Sequence, residues 1–176
     1  MLDVLAFWFE ECRPEHWFQK DSAFDDTIRA RFAGEVERAL RGELQPSTAD
    51  ERLGLILLLD QFPRNLYRGS AKSFAGDAKA VALVDTCVAQ GDLERDADPD
   101  RRRFLLMPLM HSEDLQVHER AAALFARYTS ELVQDYAKRH RAIIERFGRY
   151  PHRNDALGRA SSDEELAFLK GPDSGF

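Results

Sequence analysis

Apolar residues recur with the period of an α-helix along almost the whole chain. In the clearest stretch, each apolar residue follows the last by four positions: Phe24, Ile28, Phe32, Val36 and Leu40. Ser22, with Asp25 three residues later, is predicted to cap this helix, and Gly42 to end it. The spacing therefore predicts an amphipathic helix that begins near Ser22.

A second helix is predicted from a segment that is apolar on nearly every side, "ERLGLILLLDQF" at residues 51–62. Thr48 and Glu51 form a capping box at its start. Because no polar face is left for solvent, we expect this helix to be central and buried. Pro63 is predicted to stop it.

Residues that cap or break helices divide the middle of the chain. A helix over about residues 74–90 is predicted to end at Gly91. Asp98 followed by Pro99 is a cap-then-proline start for the next helix. Pro108 is expected to interrupt that helix, because proline lacks the amide donor that the helix interior needs.

The last third of the chain is also helical in pattern. The periodic run 113–148 is long for one globular helix, so we expect a break near Thr129 and Ser130. A short final helix is predicted after Ser162, with Glu165 as its capping partner. No segment alternates with period two, and no repeat of 34 residues is evident. The sequence thus predicts one all-α domain over residues 1–176, with about seven or eight helices packed as antiparallel hairpins.

Composition narrows the class of protein. The chain has 176 residues, with 25 Lys and Arg against 31 Asp and Glu, and this net charge of −6 disfavours nucleic-acid binding. Its longest strongly apolar run, "LILLL", is far shorter than the ~20 residues that cross a bilayer, so no membrane partner is expected. The start "MLDVLAFWFEE" lacks the basic residues of a secretory signal. Cys12 and Cys87 are expected to be reduced thiols in a cytoplasmic protein.

The first of three polar stretches is "LLLDQFPRNLYRG", residues 57–69. Asp60 lies at the predicted C-terminal end of the apolar helix, where the helix dipole is unfavourable for a carboxylate. A cation must therefore compensate the charge of Asp60, and we expect Arg64 or Arg68 to be that partner. Asn65 would then tie the following loop to the helix in a purely structural role, which remains open beside a functional one.

The second stretch is "MPLMHSED", residues 107–114. Ser112 is interpreted as a helix N-cap, with Glu113 and Asp114 in the first turn, where acids are stabilising. His111 precedes this cap. It is either a packed histidine that donates to a carbonyl or a general acid or base that works near neutral pH.

The third stretch gathers positive charge within an acidic chain: residues 138–159 hold seven basic residues and two acidic ones. Arg146 and Arg149 lie near a predicted helix C-terminus, where cations are favourable without any ligand. Gly148 and Pro151 would end that helix. The three residues beyond it are unexplained by this argument: Arg153, Asn154 and Arg159. Converging guanidinium groups bind carboxylate or phosphate, so the alternatives are an anion site and a structural salt-bridge corner.

A metal site is disfavoured. The residues that could form one are His111, Glu113, His140 and His152, but their spacings match no ligand motif and the nearby arginines repel a cation. His140 is instead interpreted as a histidine at the edge of the core. Glycine-rich phosphate loops and nucleophile elbows do not occur in the sequence, so no metal and no cofactor are predicted.

The three stretches, with "SSDEELAFL" after the third, resemble the bacterial family catalogued as domain of unknown function 924. The resemblance runs from "AFWF" near the start to Phe176. It implies an all-helical fold similar to the tetratricopeptide-repeat-like superfamily, without obvious sequence repeats. The positions that match the family motifs are Asp60, Gln61, Arg64, Asn65, His111, Ser112, Glu113, His140, Arg146, Arg149, His152, Arg153, Asn154 and Arg159.

Two hypotheses about function follow. In the first, a cytoplasmic protein binds or acts on a small anionic metabolite in a pocket lined by helix-end motifs. The catalytic candidates are His111, His152 and Asp60, and the substrate-binding candidates are Arg64, Asn65, Arg149, Arg153, Asn154 and Arg159. In the second, the chain is a tetratricopeptide-repeat-like module that binds a protein partner. Whether the protein is an enzyme, and whether it forms a homodimer, stay open at this stage.

Overall fold

The computed structural model describes residues 1–172, which form eleven α-helices and no β-strand. In chain order they are α1 (Leu2–Ala6), α2 (Pro14–Phe18), α3 (Ser22–Arg41), α4 (Ala49–Ile56), α5 (Phe62–Leu66), α6 (Asp77–Ala89), α7 (Asp92–Arg95), α8 (Pro99–His111), α9 (Leu115–Tyr128), α10 (Glu131–Phe147) and α11 (Asp163–Leu169). Two π-helical segments, Phe7–Glu11 and Leu57–Gln61, and two 3-10 turns, Ala71–Phe74 and Pro151–Arg153, lie between them.

The all-α class is therefore confirmed, and the helix number exceeds the prediction. The additional helices, α1, α2, α5 and α7, have only four or five residues each, too few to give a periodic signal. The final residues of the family resemblance, up to Phe176, lie outside the described part of the chain.

Helix α3 has the predicted apolar stripe but a different cap. Phe24, Ile28, Phe32 and Val36 are buried along one face. The helix is capped by Asp21, whose Oδ1 accepts a hydrogen bond from the amide of Ala23 at 2.9 Å, so the prediction of Ser22 as the cap was wrong. A carboxylate at this position also meets the positive end of the helix dipole.

The central helix continues past the point where it was predicted to stop. The capping box of Thr48 and Glu51 opens α4 as expected, and Leu53–Leu59 are all buried. The chain then widens into the π-helical segment Leu57–Gln61 and resumes as α5, with Pro63 in its first turn. Proline is tolerated there because a first-turn amide has no partner within the helix, so Pro63 does not end the helical run.

Two predictions around residue 110 were also wrong. Helix α8 runs unbroken through Pro108, and the residues from Phe104 to Met110 are all buried. Their burial offsets the loss of one backbone hydrogen bond. Ser112 does not cap α9, since Asp114 accepts from the amide of Gln116 at 2.9 Å and takes that place.

The C-terminal half follows the predicted division. Helix α9 ends at Tyr128 and α10 begins at Glu131, which confirms the break at Thr129 and Ser130. Gly148 ends α10 with φ of 67°, a left-handed conformation that favours glycine. The capping box of Ser162 and Glu165 opens α11 as predicted. Helices that follow each other in the chain pack together here, α8 on α9 and α9 on α10.

The helices form one domain with two apolar clusters. The larger cluster contains the buried faces of α3, α4 and α8, together with the aromatic side chains of Phe7, Trp8 and Phe62. The smaller one contains Ile143, Ile144 and Tyr150. The first two polar stretches contribute residues such as Phe62 and Met110 to the larger cluster, and the third contributes Tyr150 to the smaller one. No helix within residues 1–172 is long and apolar enough to cross a membrane.

Candidate functional site

Asp60 is the most deeply buried charged residue within residues 1–172, with no solvent exposure. It lies in the π-helical segment between α4 and α5. Its carboxylate contacts His111 Nδ1 at 2.8 and 3.0 Å and lies 3.3 Å from Arg64 Nη1. Gln61 Nε2 donates a further hydrogen bond to Asp60 Oδ2. The first and second polar stretches therefore meet at this carboxylate, and Arg64 is the cation that pairs with it.

The charges around Asp60 determine two protonation states. Burial raises the pKa of Asp60, but the charge of Arg64 and the hydrogen bonds from His111 and Gln61 outweigh burial and hold it below its usual range. Burial, together with the charge of Arg64, lowers the pKa of His111 below its usual value despite the neighbouring Asp60. His111 is therefore neutral at pH 7, with Nδ1–H donating to Asp60 and Nε2 carrying the lone pair.

Asp77 joins the first stretch to the third. This first residue of α6 lies 3.1 and 3.2 Å from Arg64 Nη2 through its two oxygens, and its Oδ2 accepts from Arg153 Nη1 at 2.9 Å. Gly76 makes this placement possible, because a Cβ there would collide with the carbonyl oxygen of Leu59. One carboxylate thus bridges two guanidinium groups from distant parts of the chain.

Arg153 is the deepest arginine of the third stretch, with 7% of its side chain exposed. Its Nη2 donates to the carbonyl oxygen of His111 at 2.9 Å. The guanidinium carbon lies 4.5 Å from the ring centre of Phe74 and 4.7 Å from that of Tyr150. Its Nε is buried and has no hydrogen-bond partner among the described residues.

We call the following five residues the buried charge cluster: Asp60, Arg64, Asp77, His111 and Arg153. Its two carboxylates and two guanidinium groups balance, and its histidine is neutral. The cluster combines a buried base, His111, with the two cations Arg64 and Arg153. These are the groups needed to bind a negatively charged group and to transfer a proton.

Three further histidines surround this cluster, so four of the five histidines of the chain are gathered here. The ring of His140 lies 6.1 Å from that of His111, and its Nδ1 is 2.7 Å from the carbonyl oxygen of Tyr136. His118 Nε2 is 2.8 Å from the carbonyl oxygen of Ser112. Both have the carbonyl contacts of packed histidines.

His152 differs from these two. Its ring lies 5.5 Å from that of Tyr150, and its buried Nδ1 has no hydrogen-bond partner among the described residues. Burial lowers the pKa of His152 to about 4. It is therefore neutral at pH 7, and as a catalytic candidate it could accept a proton but not supply one.

The other arginines of the third stretch are paired with carboxylates outside the buried charge cluster. Arg149 contacts both oxygens of Glu165, at 2.7 and 2.8 Å. Arg159 contacts both oxygens of Glu113, at 2.7 and 2.9 Å, and its Nε donates to Asn154 Oδ1 at 3.0 Å. Acidic residues from elsewhere in the chain thus neutralise the positive charge that the sequence concentrates here. This is the arrangement expected of a structural salt-bridge corner.

Asn65 lies in a separate network. Its Nδ2 donates to Asp25 at 2.7 Å, and Arg68 forms two hydrogen bonds to the same carboxylate, at 2.6 and 2.9 Å. This arrangement ties α5 and the following turn to α3. Of the nine site residues predicted from the sequence, the structure brings together Asp60, Arg64, His111 and Arg153, with His152 beside them, and holds Asn65, Arg149, Asn154 and Arg159 in other contacts.

Sequence reasoning missed Asp77. In the sequence it follows a glycine and begins a helix, which is an ordinary position for an acid. Nothing in the segment "SFAGDAKA" indicates that it would meet Arg64 and Arg153. The only available signal was indirect: several arginines in two stretches had too few local acids, so a carboxylate from elsewhere was required.

Two other features bear on possible ligands. Among residues 1–172, no group of three or more His, Cys, Asp or Glu side chains is arranged to hold a metal ion. Two shallow cavities of about 230 Å³ each lie away from the buried charge cluster: one is beside Asp3 and Arg31, and the other is beside Asp92 and Arg101.

The fold and the cluster define an all-helical protein whose charged motifs converge between two apolar cores. A family model described as "Bacterial protein of unknown function (DUF924)" matches residues 4–173, and the chain belongs to this family. A solved structure of a protein of unknown function from Agrobacterium tumefaciens is similar, with 39% identity, 96% of each chain covered and a TM-score of 0.89. No curated protein matches the chain.

Proposed function

We propose that this protein binds or acts on a small anionic metabolite at the buried charge cluster. The observation that carries the proposal is the contact of the fully buried Asp60 with His111, beside the guanidinium groups of Arg64 and Arg153. A carboxylate that is buried and hydrogen-bonded to a neutral imidazole orients its ring and stabilises the imidazolium that forms when it takes a proton.

The roles within the proposal follow from the protonation states. His111 Nε2 accepts a proton from the ligand or from water, and Asp60 compensates the resulting positive charge. Arg64 and Arg153 offset the negative charge of the ligand. The buried Arg153 Nε, which has no hydrogen-bond partner among the described residues, is a donor that such a ligand could use.

Anions should therefore stabilise the protein in a manner that depends on the cluster arginines. We would measure thermal unfolding with phosphate, sulfate, citrate and a nucleotide at millimolar concentrations, and with chloride at matched ionic strength. A ligand at tenfold its Kd stabilises by about 1.4 kcal/mol, which for a domain of this size is a rise in Tm of about 3–6 °C. We expect Arg64→Ala and Arg153→Ala to abolish this rise.

Arg146→Ala is the matched control. It removes the same charge from the same stretch, but Arg146 is 52% exposed and paired with Glu164. It should keep the full response. Sulfate and citrate also stabilise proteins in general by exclusion from their surfaces. An equal rise in the parent, the cluster variants and the control would therefore show that no anion site lies here.

Location and partners complete the proposal. We propose a cytoplasmic protein, which two free cysteines support, since unpaired thiols are usual in a reducing compartment. The tetratricopeptide-repeat-like module, with a protein partner or a homodimer, stays a prediction. It requires an open face that receives another chain, whereas the contacts described above belong to a polar cluster that is turned inward.

A further inference from the structure

We infer that Asp77 occupies the position between Arg64 and Arg153 that the anionic group of the ligand would take. The ligand would then be a small molecule that bears a carboxylate or a phosphate, and it would compete with the protein's own carboxylate. The inference rests on the proposed function and adds to it a mechanism that limits binding.

The geometry between Arg64 and Arg153 is that of a bound carboxylate. One oxygen of Asp77 accepts from Arg64 Nη2 at 3.2 Å and from Arg153 Nη1 at 2.9 Å, and the other lies 3.1 Å from Arg64 Nη2. Guanidinium groups that converge in this way recognise both carboxylate and phosphate oxygens. Asp77 is attached at the first residue of α6, so its side chain can turn away from the arginines without unwinding the helix interior.

The charges of the cluster require such a competition. With Asp60 and Asp77 ionised and His111 neutral, the two arginines are already compensated. An additional anion would leave one uncompensated negative charge in a buried place, which is costly. Binding therefore requires either the departure of Asp77 toward solvent or the uptake of one proton.

Asp77 is the carboxyl group of the cluster that is better suited to take up that proton. It faces the cations Arg64 and Arg153, the carboxylate of Asp60 and the ring of His111. Burial and the neighbouring Asp60 carboxylate raise the pKa of Asp77 above its usual value, although the two cations act to lower it. Asp60, in contrast, has its pKa held below the usual range. Protonation of Asp77 would remove its negative charge from both guanidinium groups, while Arg64 would keep its contact with Asp60.

The test is the Asp77→Asn variant, which keeps the shape of the side chain and removes its charge. We would titrate the parent and the variant with inorganic phosphate and, separately, with acetate at pH 7 by calorimetry, at constant ionic strength. We expect the variant to bind at least one of these anions at least tenfold more tightly than the parent. The two titrations also distinguish a phosphate ligand from a carboxylate ligand.

Asp85→Asn is the matched control, because Asp85 lies on the same helix and pairs with Arg120 at the surface, where its side chain is 49% exposed. Asp85→Asn changes the net charge by the same amount as Asp77→Asn, and it should bind the anions with the same affinity as the parent. A second readout is the pH dependence of the affinity. Between pH 7 and 5 the affinity of the parent should rise more steeply than that of Asp77→Asn, because an asparagine side chain cannot be protonated in this range.

The outcomes separate the inference from the proposed function. If the parent binds phosphate or acetate through Arg153 and Asp77→Asn binds no more tightly, the inference is wrong and the proposed function stands. If neither protein binds either anion, both fail. Should Asp77→Asn not fold, the smaller Asp77→Ala would be tested for stabilisation by acetate or formate. The absence of any stabilisation beyond that of Asp85→Ala would overturn the inference.

Discussion

The burial of Asp60 determines how much its contacts contribute to stability. Breaking a buried ion pair by removing one partner leaves the other charge uncompensated, whereas exposed pairs contribute little. We expect Asp60→Asn to lower the free energy of unfolding by about 3 kcal/mol, measured by urea denaturation. Asp85→Asn, from an exposed pair with Arg120, should change it by at most about 0.5 kcal/mol. Similar values for the two variants would contradict the buried-pair interpretation.

Asp60 also shows which part of an ion pair can be predicted from sequence. Because the C-terminal end of a helix is unfavourable for a carboxylate, we predicted that Asp60 needs a cation nearby, and Arg64 and Arg68 were the two candidates. The structure assigns Arg64 to Asp60 and Arg68 to Asp25. Local chemistry predicted the need, but the position of α3, which carries Asp25, decided which arginine was free to meet it.

At the scale of elements, two glycines in helical surroundings should respond in opposite ways to alanine. Gly34 is exposed within α3, and a Cβ there would meet nothing within 4 Å. Gly34→Ala should therefore stabilise by about 0.5–1 kcal/mol, because alanine has the higher helix propensity. At Gly76 a Cβ would collide with the carbonyl oxygen of Leu59. Gly76→Ala should destabilise by about 1–3 kcal/mol.

Thermal or urea unfolding of both variants checks this prediction. Equal effects of alanine at the two positions would show that the approach of α6 to the π-helical segment is not tight.

At the scale of the whole molecule, the gathered histidines should make stability depend on pH. Burial lowers the pKa of His140 to about 3 and of His152 to about 4, against about 6.5 for an unfolded chain. As pH falls, the unfolded chain therefore takes up protons first. The stability that is complete above pH ~6.5 is lost as the pH falls toward the folded pKa values, by up to about 1.4 kcal/mol per pH unit for each histidine.

Urea unfolding at pH 7, 6 and 5 measures this loss. The raised pKa of Asp77 acts in the opposite direction, since the folded protein then takes up a proton first. Because this is one group against several histidines, we expect a net decrease in stability from pH 7 to 5. His140→Gln and His152→Gln should each reduce the slope of the unfolding free energy against pH by the equivalent of one proton, about 1.4 kcal/mol per pH unit. A stability that stays constant over this range would contradict the prediction.

Three features could be predicted from the amino-acid sequence alone: the helical class, many boundaries of the longer helices, and the three stretches that carry polar chemistry. Periodicity, capping boxes and left-handed glycines act within a few residues, so they can be recognised along the chain. The error at Pro63 arose because it lies in the first turn of α5, where a proline is tolerated, and the error at Pro108 because burial of the neighbouring apolar residues overrides a local helix breaker.

The packing of the helices determines which charged side chains meet and which ionisable side chains are neutral. Arg64 lies 13 residues from Asp77, His111 lies 51 residues from Asp60, and Arg153 lies 76 residues from Asp77. No local pattern encodes such pairings, because they depend on how α6, α8 and the turn after α10 pack around the π-helical segment. Burial then keeps the four histidines in and around the buried charge cluster neutral, since the free energy of an ionised group depends on the polarity of its surroundings and not on its neighbours in sequence.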